Sequence, residues 1–392
     1  VLTRPRIFLY VQHLLGIGHL RRAVTLARAC VAAGLEVTLA SGGRGVPGSI
    51  PAGVRWVQLP PVSATDASFK HLVDADGVPI DEPWKERRRD ALLEAWRAAD
   101  CQALVLELFP FGRRPMRFEL LPLLEAASSA KPRPLIVSSV RDVLAGGSRR
   151  PEREAEALAL LERYFDHVLV HGDPGLIDFG HSFEPAARIK SKLHYTGYVV
   201  EPASARGAPD PARTGEVLVS AGGGAVGQGL LETAIRARPR SALAECRWRV
   251  LAGVNAGARG FAELEALAAG IGDGKIVVER AREDFRLLLS ACAVSVSQAG
   301  YNTVAEALQA GARAVVVPFS GGGETEQGLR ARLLAERGLI EMVEEDALTP
   351  QTLAAAIDRV AGRPRPEAAI VDLGGAPHSA ALLAGWMRSR AE

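Results

Sequence analysis

An α/β protein of two doubly wound, Rossmann-like parallel sheets is predicted from three features of the sequence. Short, nearly continuous apolar runs alternate with segments of helical period, the pattern of strands covered on both faces. The alternation stops at a stretch rich in proline, glycine and small residues, EPASARGAPDPARTG (201–215), and then restarts. At 392 residues the chain exceeds what one hydrophobic core usually accommodates.

The first strand is Arg6–Val11, a row of Ile, Phe, Leu, Tyr and Val. Gly16-Ile17-Gly18 turns the chain into a helix, Leu20–Ala33, which Gly34 stops. Strands Leu35–Ala40 and Val54–Leu59 follow, the latter ending at Pro60-Pro61. Residues 62–83 lack periodicity and read as a long, functional loop. A helix with a heavily charged face covers Lys85–Ala99. Strands Ala103–Leu108 and Pro134–Ser139 flank a helix over Met116–Ala127; a helix over Glu152–Phe165 precedes strand His167–Val170. After the linker come strands Glu216–Ala221, Arg249–Leu251, Lys275–Val278, Ala293–Val296 and Ala312–Val317, with helices between them. A last helix, Pro377–Arg390, is a terminal element placed to pack back on the first domain. The expected limits are thus 1–200, a linker 201–215, 216–364 and a tail 365–392. Ligands of such sheets bind outside the carboxyl ends of the strands.

Composition excludes several classes. Lys plus Arg number 47 against 45 Asp plus Glu, a near balance that argues against a dedicated nucleic-acid binder. Aromatic residues at 5% are too few for a base-stacking platform. No run of 18 apolar residues marks a membrane span. The opening residues lack the apolar core and cleavage site of a secretory signal, so a cytoplasmic location is expected. The four cysteines, Cys30, Cys101, Cys246 and Cys292, lie far apart and have neither zinc nor redox spacing.

Four constellations carry chemistry. The first loop ends in His19, at a helix start, where a ring kept neutral by the helix N-terminus would suit a general base. A capping or purely structural histidine is the other reading. The loop lacks a full G-x-G-x-x-G, no acid follows strand two, and no P-loop motif occurs, which disfavours dinucleotide and ATPase sites. The second loop, Ala221-Gly222-Gly223-Gly224-Ala225-Val226-Gly227, can wrap phosphate oxygens with backbone amides or simply allow close helix–sheet packing. In the third, Ser297, Gln298, Gly300 and Thr303 crowd a helix start, and Glu306 lies one turn in. Glu306 can accept two hydroxyls of a ribose, or serve a local cap or salt bridge. In the fourth, Glu326-Gln327 offer donors and acceptors to sugar hydroxyls, although acids at helix starts are common on any surface.

Further candidates sit at strand ends of the first domain: Glu107, Arg113, Arg114, Arg141, Asp142, His171 and Asp173. Arg113 and Arg114 suit an acceptor phosphate or carboxylate, or are ordinary surface arginines. Arg21, Arg22 and the run Arg87–Arg89 either form solvated faces or meet an anionic membrane surface.

The stretches YVQHLLGIGHLRRAVTLARA, LELFPFGRR, LVHGDP, YTGYV and VSQAGYNTVAEALQAGARAVVVPFSGGGETEQGLRA together resemble the MurG-like, family 28-type glycosyltransferases of the GT-B fold, in a bacterial branch of predicted glycosyltransferases. The last stretch is the most specific. The resemblance implies two Rossmann-like domains facing across a cleft. It implies an inverting, metal-independent transfer from a nucleotide-sugar, a UDP-sugar, with no cofactor. His19 then matches the acceptor-side histidine, with Gly18 in the loop before it. Gly222, Gly223, Gly224 and Gly227 match the diphosphate loop, and the Glu279–Arg282 region, with Arg280 and Ala281, matches the loop against the base. Glu306 matches the ribose carboxylate, and Glu326-Gln327 the pair that touches the donor sugar. Gly18, Gln298, Gly300 and Thr303 join this donor set. Arg330 stands where MurG usually has Asn, and the first loop is poorer in glycine. These departures point to an acceptor other than the peptidoglycan one: a small molecule, a lipid-linked saccharide or a glycan end. A peripheral membrane contact fits the lipid-linked case. A sugar-nucleotide 2-epimerase, a nucleotide-sugar hydrolase and a non-catalytic binding protein of the same fold are the rival readings.

Overall fold

The computed structural model describes residues 4–14, 16–46, 48–65, 71–144, 151–201, 215–222, 227–253, 256–282, 284–321, 325–366 and 371–391. They divide into two compact units, one of residues 1–200 with 372–392, the other of residues 201–371. Most of the predicted linker, 202–214, lies outside the described residues.

In the first unit the order is β1 (Arg6–Val11), α1 (Gly18–Ala32), β2 (Glu36–Ser41), β3 (Val54–Gln58), β4 (Ser63–Ala64), β5 (Leu72–Val73), α2 (Glu82–Ala99), β6 (Ala103–Glu107), α3 (Arg117–Ser129), β7 (Leu135–Arg141), α4 (Pro151–Tyr164), β8 (His167–His171) and β9 (Leu193–Tyr195). Seven parallel strands run β3-β2-β1-β6-β7-β8-β9. The chain winds outward from β1 in one direction, then returns to β6 and winds in the other. The switch point between β1 and β6 is where such a sheet opens a crevice. β4 and β5 form a small antiparallel pair inside the segment predicted as a loop.

β1 shows why the sheet is buried on both sides. Ile7, Leu9 and Val11 point into one core with α1, while Phe8 and Tyr10 point into the other with α2 and α3. The final helix, α11 (Gly375–Ala391), completes the first of these cores with Ala380, Leu383, Ala384 and Met387. The chain before it is tied to the ends of β8 and β9: Tyr198 N donates to Asp372 O at 2.7 Å, and Gly375 N to Tyr198 O at 3.1 Å. Only glycine fits at 375, since a Cβ there would lie 2.3 Å from Gly197 O.

The second unit runs β10 (Val217–Ser220), α5 (Gln228–Ala237), β11 (Trp248–Ala252), α6 (Ala258–Ile271), β12 (Ile276–Arg280), α7 (Phe285–Ala291), β13 (Val294–Ser297), α8 (Tyr301–Gln309), β14 (Ala314–Val316), α9 (Glu326–Glu336), β15 (Glu341–Met342) and α10 (Pro350–Ala361). Its six parallel strands are ordered β12-β11-β10-β13-β14-β15, with the switch point between β10 and β13. Thr349 starts α10 with a capping box to Thr352.

Two surface expectations are corrected. Arg88, read as part of a charged helix face, is fully buried, and Arg22 is only 3% exposed. Arg21 and Arg87 do face solvent. Helical period explains the split: one residue of a basic pair or run turns inward where a buried carboxylate waits for it. Glu119 takes Arg88, and Glu107 takes Arg22.

Candidate active site

The first half-site lies at the carboxyl ends of β1 and β6. β1 delivers Gln12 and His13, and α1 begins at Gly18, so His19 projects from its first turn. β6 ends in Glu107, which is 2% exposed. His19 Nδ1 lies 2.8 Å from Glu107 Oε1, and Arg22, one turn along α1, donates to the same oxygen. Burial opposes the Glu107 charge, but His19 and Arg22 beside it hold its carboxyl well below the usual carboxylate range. An ionised carboxylate accepts only, so the imidazole proton sits on Nδ1 and the lone pair on Nε2. The Arg22 nitrogen 3.2 Å from Nδ1 therefore donates to Glu107 and not to the ring.

Burial pushes the His19 pKa down to about 3; Glu107 opposes the shift, while Arg113 and Arg141 reinforce it. The neutral ring expected from a helix N-terminus is thus held neutral mainly by desolvation. A neutral imidazole with Nδ1–H on a carboxylate and a bare Nε2 is the arrangement of a general base.

The other strand-end candidates separate. His171 is fully buried, with Nε2 2.8 Å from Ser139 Oγ and Nδ1 2.9 Å from Thr196 Oγ1, so both nitrogens are engaged inside the fold. Asp142 is fully buried and accepts from Val143 N and from the Tyr198 hydroxyl. Asp173 accepts from Gly175 N and from Asp372 N, tying the C-terminal segment to the end of β8. These three are corrected from acceptor contacts to structural roles. Arg114, by contrast, lies on the surface, paired with Glu156, as in the surface-arginine alternative. Arg113 and Arg141 do gather beside His19, their charges acting on it.

Sequence reasoning missed His13 and Arg22. His13 is 5% exposed and its Nε2 lies 3.0 Å from Arg44 O. A carbonyl only accepts, so Nε2 carries the proton. Gly43 is required here, because a Cβ would lie 2.4 Å from the His13 ring. The spacing of His19 and Arg22, three apart on one helix, is the signal that was available for Arg22.

The histidines make stability depend on pH. His171, like His19, is neutral when folded, burial having lowered its pKa from 6.5 to about 3. Unfolded, both groups take up protons near pH 6.5. The unfolded state therefore binds more protons between those limits, and stability falls as pH drops from about 6.5 toward 3. Urea midpoints measured at about pH 7 and 4.5 are expected to differ less in His171→Asn than in the wild type. The same difference in both proteins would contradict this account.

The second half-site lies at the switch point of the second sheet. Gly222 follows β10 with φ +67°, and its N donates to Ser220 Oγ at 3.1 Å. A Cβ at 222 would lie 3.4 Å from Thr303 Oγ1, which brings the ends of β10 and α8 together. Gly227 precedes α5 with φ +129°; a Cβ there would lie 2.7 Å from that of Ala221 and 3.6 Å from Gln298 Cδ. Gly223 and Gly224 lie outside the described residues. Gly300 caps α8, and Glu306 lies one turn inside that helix, partly exposed. Arg280 ends β12 on the surface, 4.7 Å from the Phe261 ring centroid, while Ala281 N donates to Ala252 O. Burial opposes the charge of Glu279, yet Arg282 and Arg249 hold its carboxyl below the usual value, which ties the loop after β12 to the strand face.

Glu326 is corrected. It is 3% exposed and pairs at 2.7 Å with Arg330, which is fully buried and also donates to Ala299 O. The pair braces the starts of α8 and α9. Gln327 accepts from Phe319 N through its side-chain oxygen. Gly18 belongs to the first unit, at the start of α1.

Two switch-point sites on two doubly wound sheets define the GT-B fold. The chain superimposes on CalG4, the calicheamicin glycosyltransferase, with TM-score 0.63 at 16% identity, covering 100% of both chains. With Acinetobacter baumannii MurG the TM-score is 0.60 at 15% identity, over 97% of this chain and 99% of that one. Residues 256–369 match the glycosyltransferase family 28 C-terminal domain, so this part of the chain is MurG-like. The chain is also 31% identical over 119 residues to the UDP-N-acetylglucosamine--N-acetylmuramyl-(pentapeptide) pyrophosphoryl-undecaprenol N-acetylglucosamine transferase of Desulforudis audaxviator (strain MP104C). That match takes in 29% of this chain and 32%, about a third, of the relative's length.

Among the described residues no helix is long and apolar enough to cross a membrane, and no group of three or more His, Cys, Asp and Glu side chains is placed to hold a metal ion.

Proposed function

We propose that the protein is an inverting glycosyltransferase that moves a sugar from a nucleotide-sugar, a UDP-sugar, to an acceptor hydroxyl. The observation that carries the reading is the His19–Glu107 pair at the first switch point, in a GT-B chain whose second unit matches a family 28 domain. His19 Nε2 takes the proton of the acceptor hydroxyl. The freed oxygen forms its bond to the anomeric carbon as the bond to the nucleotide diphosphate breaks. The electron pair leaves with the diphosphate, and the configuration inverts. Glu107 stabilises the imidazolium that forms. Amides around Gly222 and Gly227 and at the start of α8 suit the charge growing on the leaving group. A purified-protein screen of nucleotide-sugars with cell extract, read by mass spectrometry and run with a chelator present, tests this. Donor-dependent product is expected; donor consumption without any glycosylated product would favour hydrolysis.

In this reading Glu306 grips the ribose. Glu306→Ala is expected to weaken UDP binding by roughly 1.5–3 kcal/mol, the value of a charged hydrogen bond, with the unfolding midpoint little changed. UDP affinity equal to wild type would remove the ribose role, and a variant that unfolds would make the residue structural.

A further inference from the structure

Buried polar atoms with no hydrogen-bond partner among the described residues include His13 Nδ1, Glu107 Oε2 and Arg113 Nε, near the ends of β1 and β6. Buried polar atoms are almost always satisfied, and orphans gathered in one place mark where a polar ligand belongs. Arg113 is the most informative of them. Its side chain makes no hydrogen bond or ion pair among the described residues. The carboxylate within its electrostatic reach, Glu107, is already engaged by His19 and Arg22. Burial, together with the like charges of Arg141 and Arg22, works against its own charge. Its charge also acts on both His13 and His19, so it lies within reach of the base. The backbone at Arg113 is left-handed, φ 61°, a conformation uncommon for residues other than glycine and one that gathers at functional sites.

Arg113 is partly buried, its Nε is shut away from solvent without a partner, and its planar fork is shaped for two oxygens of one carboxylate or phosphate. We infer that Arg113 receives an oxyanion group carried by the acceptor, close to the hydroxyl that His19 deprotonates. The inference rests on the reading above in taking the first unit as the acceptor half. It narrows that reading to acceptors bearing a carboxylate or phosphate near the reacting hydroxyl. His13 Nδ1, a bare lone pair, is then placed to accept from a hydroxyl of the same molecule.

The test uses the full chain and two probes, inorganic phosphate and malonate, at constant ionic strength against chloride. Binding is followed through the ring resonances of His19, assigned with His19→Gln, with UDP present to occupy the other half-site. A saturable shift with phosphate or malonate is expected, weakened about tenfold or more in Arg113→Met and partly restored in Arg113→Lys. Vesicles of phosphatidylglycerol added in place of the free ions separate the sources. An Arg113-dependent shift with vesicles assigns the oxyanion to a lipid headgroup; a shift with free ions alone assigns it to a soluble acceptor. No shift with any probe, or equal affinity in wild type and Arg113→Met, would overturn the inference. Failure of UDP to bind is read separately, on the second unit, and counts against the donor reading and not against this one.

Discussion

His19→Gln is expected to lower turnover by about 10²–10⁴-fold, the usual cost of losing a general base, while UDP affinity stays at the wild-type value. The glutamine amide can still donate to Glu107, so the buried carboxylate keeps a partner and the first turn of α1 keeps its anchor. What disappears is the Nε2 lone pair. His19→Ala removes the anchor as well and should lose some stability in addition. The partner variant, Glu107→Gln, is a harsher change, because it leaves the buried Arg22 without its carboxylate. Turnover of His19→Gln within about threefold of wild type would refute the assignment. The other strand-end groups offer poor substitutes: His171 and Asp142 are already engaged inside the fold.

The largest stability effect is expected at Arg88. Its guanidinium donates to Glu119 at 2.7 and 3.0 Å, to Gln12 Oε1 at 2.7 Å and to Gly42 O at 2.8 Å, and also to Pro60 O. Gln12 in turn donates to His13 O and Val62 O. One buried cation thus ties the ends of β1 and β2 and the turn after β3 to α3. Burial opposes its charge, but Glu119 overcomes this and raises its pKa. Arg88→Met strands the Glu119 carboxylate and several carbonyls, and should cost roughly 3–5 kcal/mol in denaturant unfolding. Removing both charges in Arg88→Met/Glu119→Leu should recover part of that loss, since the uncompensated ion is the main penalty. A single variant within about 1 kcal/mol of wild type would contradict the account.

The two sheets were legible because their strands are buried on both faces and spell continuous apolar runs, as β1 does. His19 and Glu107 were legible one by one, since each follows a strand of the first sheet. Their pairing was not, because 88 residues separate them and only the sheet order places β1 beside β6. Charge misled most where helices are concerned. Arg22 and Arg88 look like surface residues until a carboxylate on another element appears opposite them. The same holds for Glu326, whose partner Arg330 is one helical turn away and equally buried. Asp173 and His171 stand at strand ends like Glu107, and only their hydrogen bonds reveal that the fold itself uses them.

Calorimetric titration of the intact protein with UDP, GDP and TDP tests the central claim most directly. The donor reading rests on Gly222 beside Thr303 and Gly227 beside Gln298 at the second switch point, and takes Glu306 as the ribose carboxylate and the loop after β12 as the contact to the base. It predicts binding of UDP at a single site, tighter than GDP or TDP and weakened in Glu306→Ala. Equal affinity for the three would remove the uridine assignment, and no binding of any nucleoside diphosphate would contradict the proposed activity.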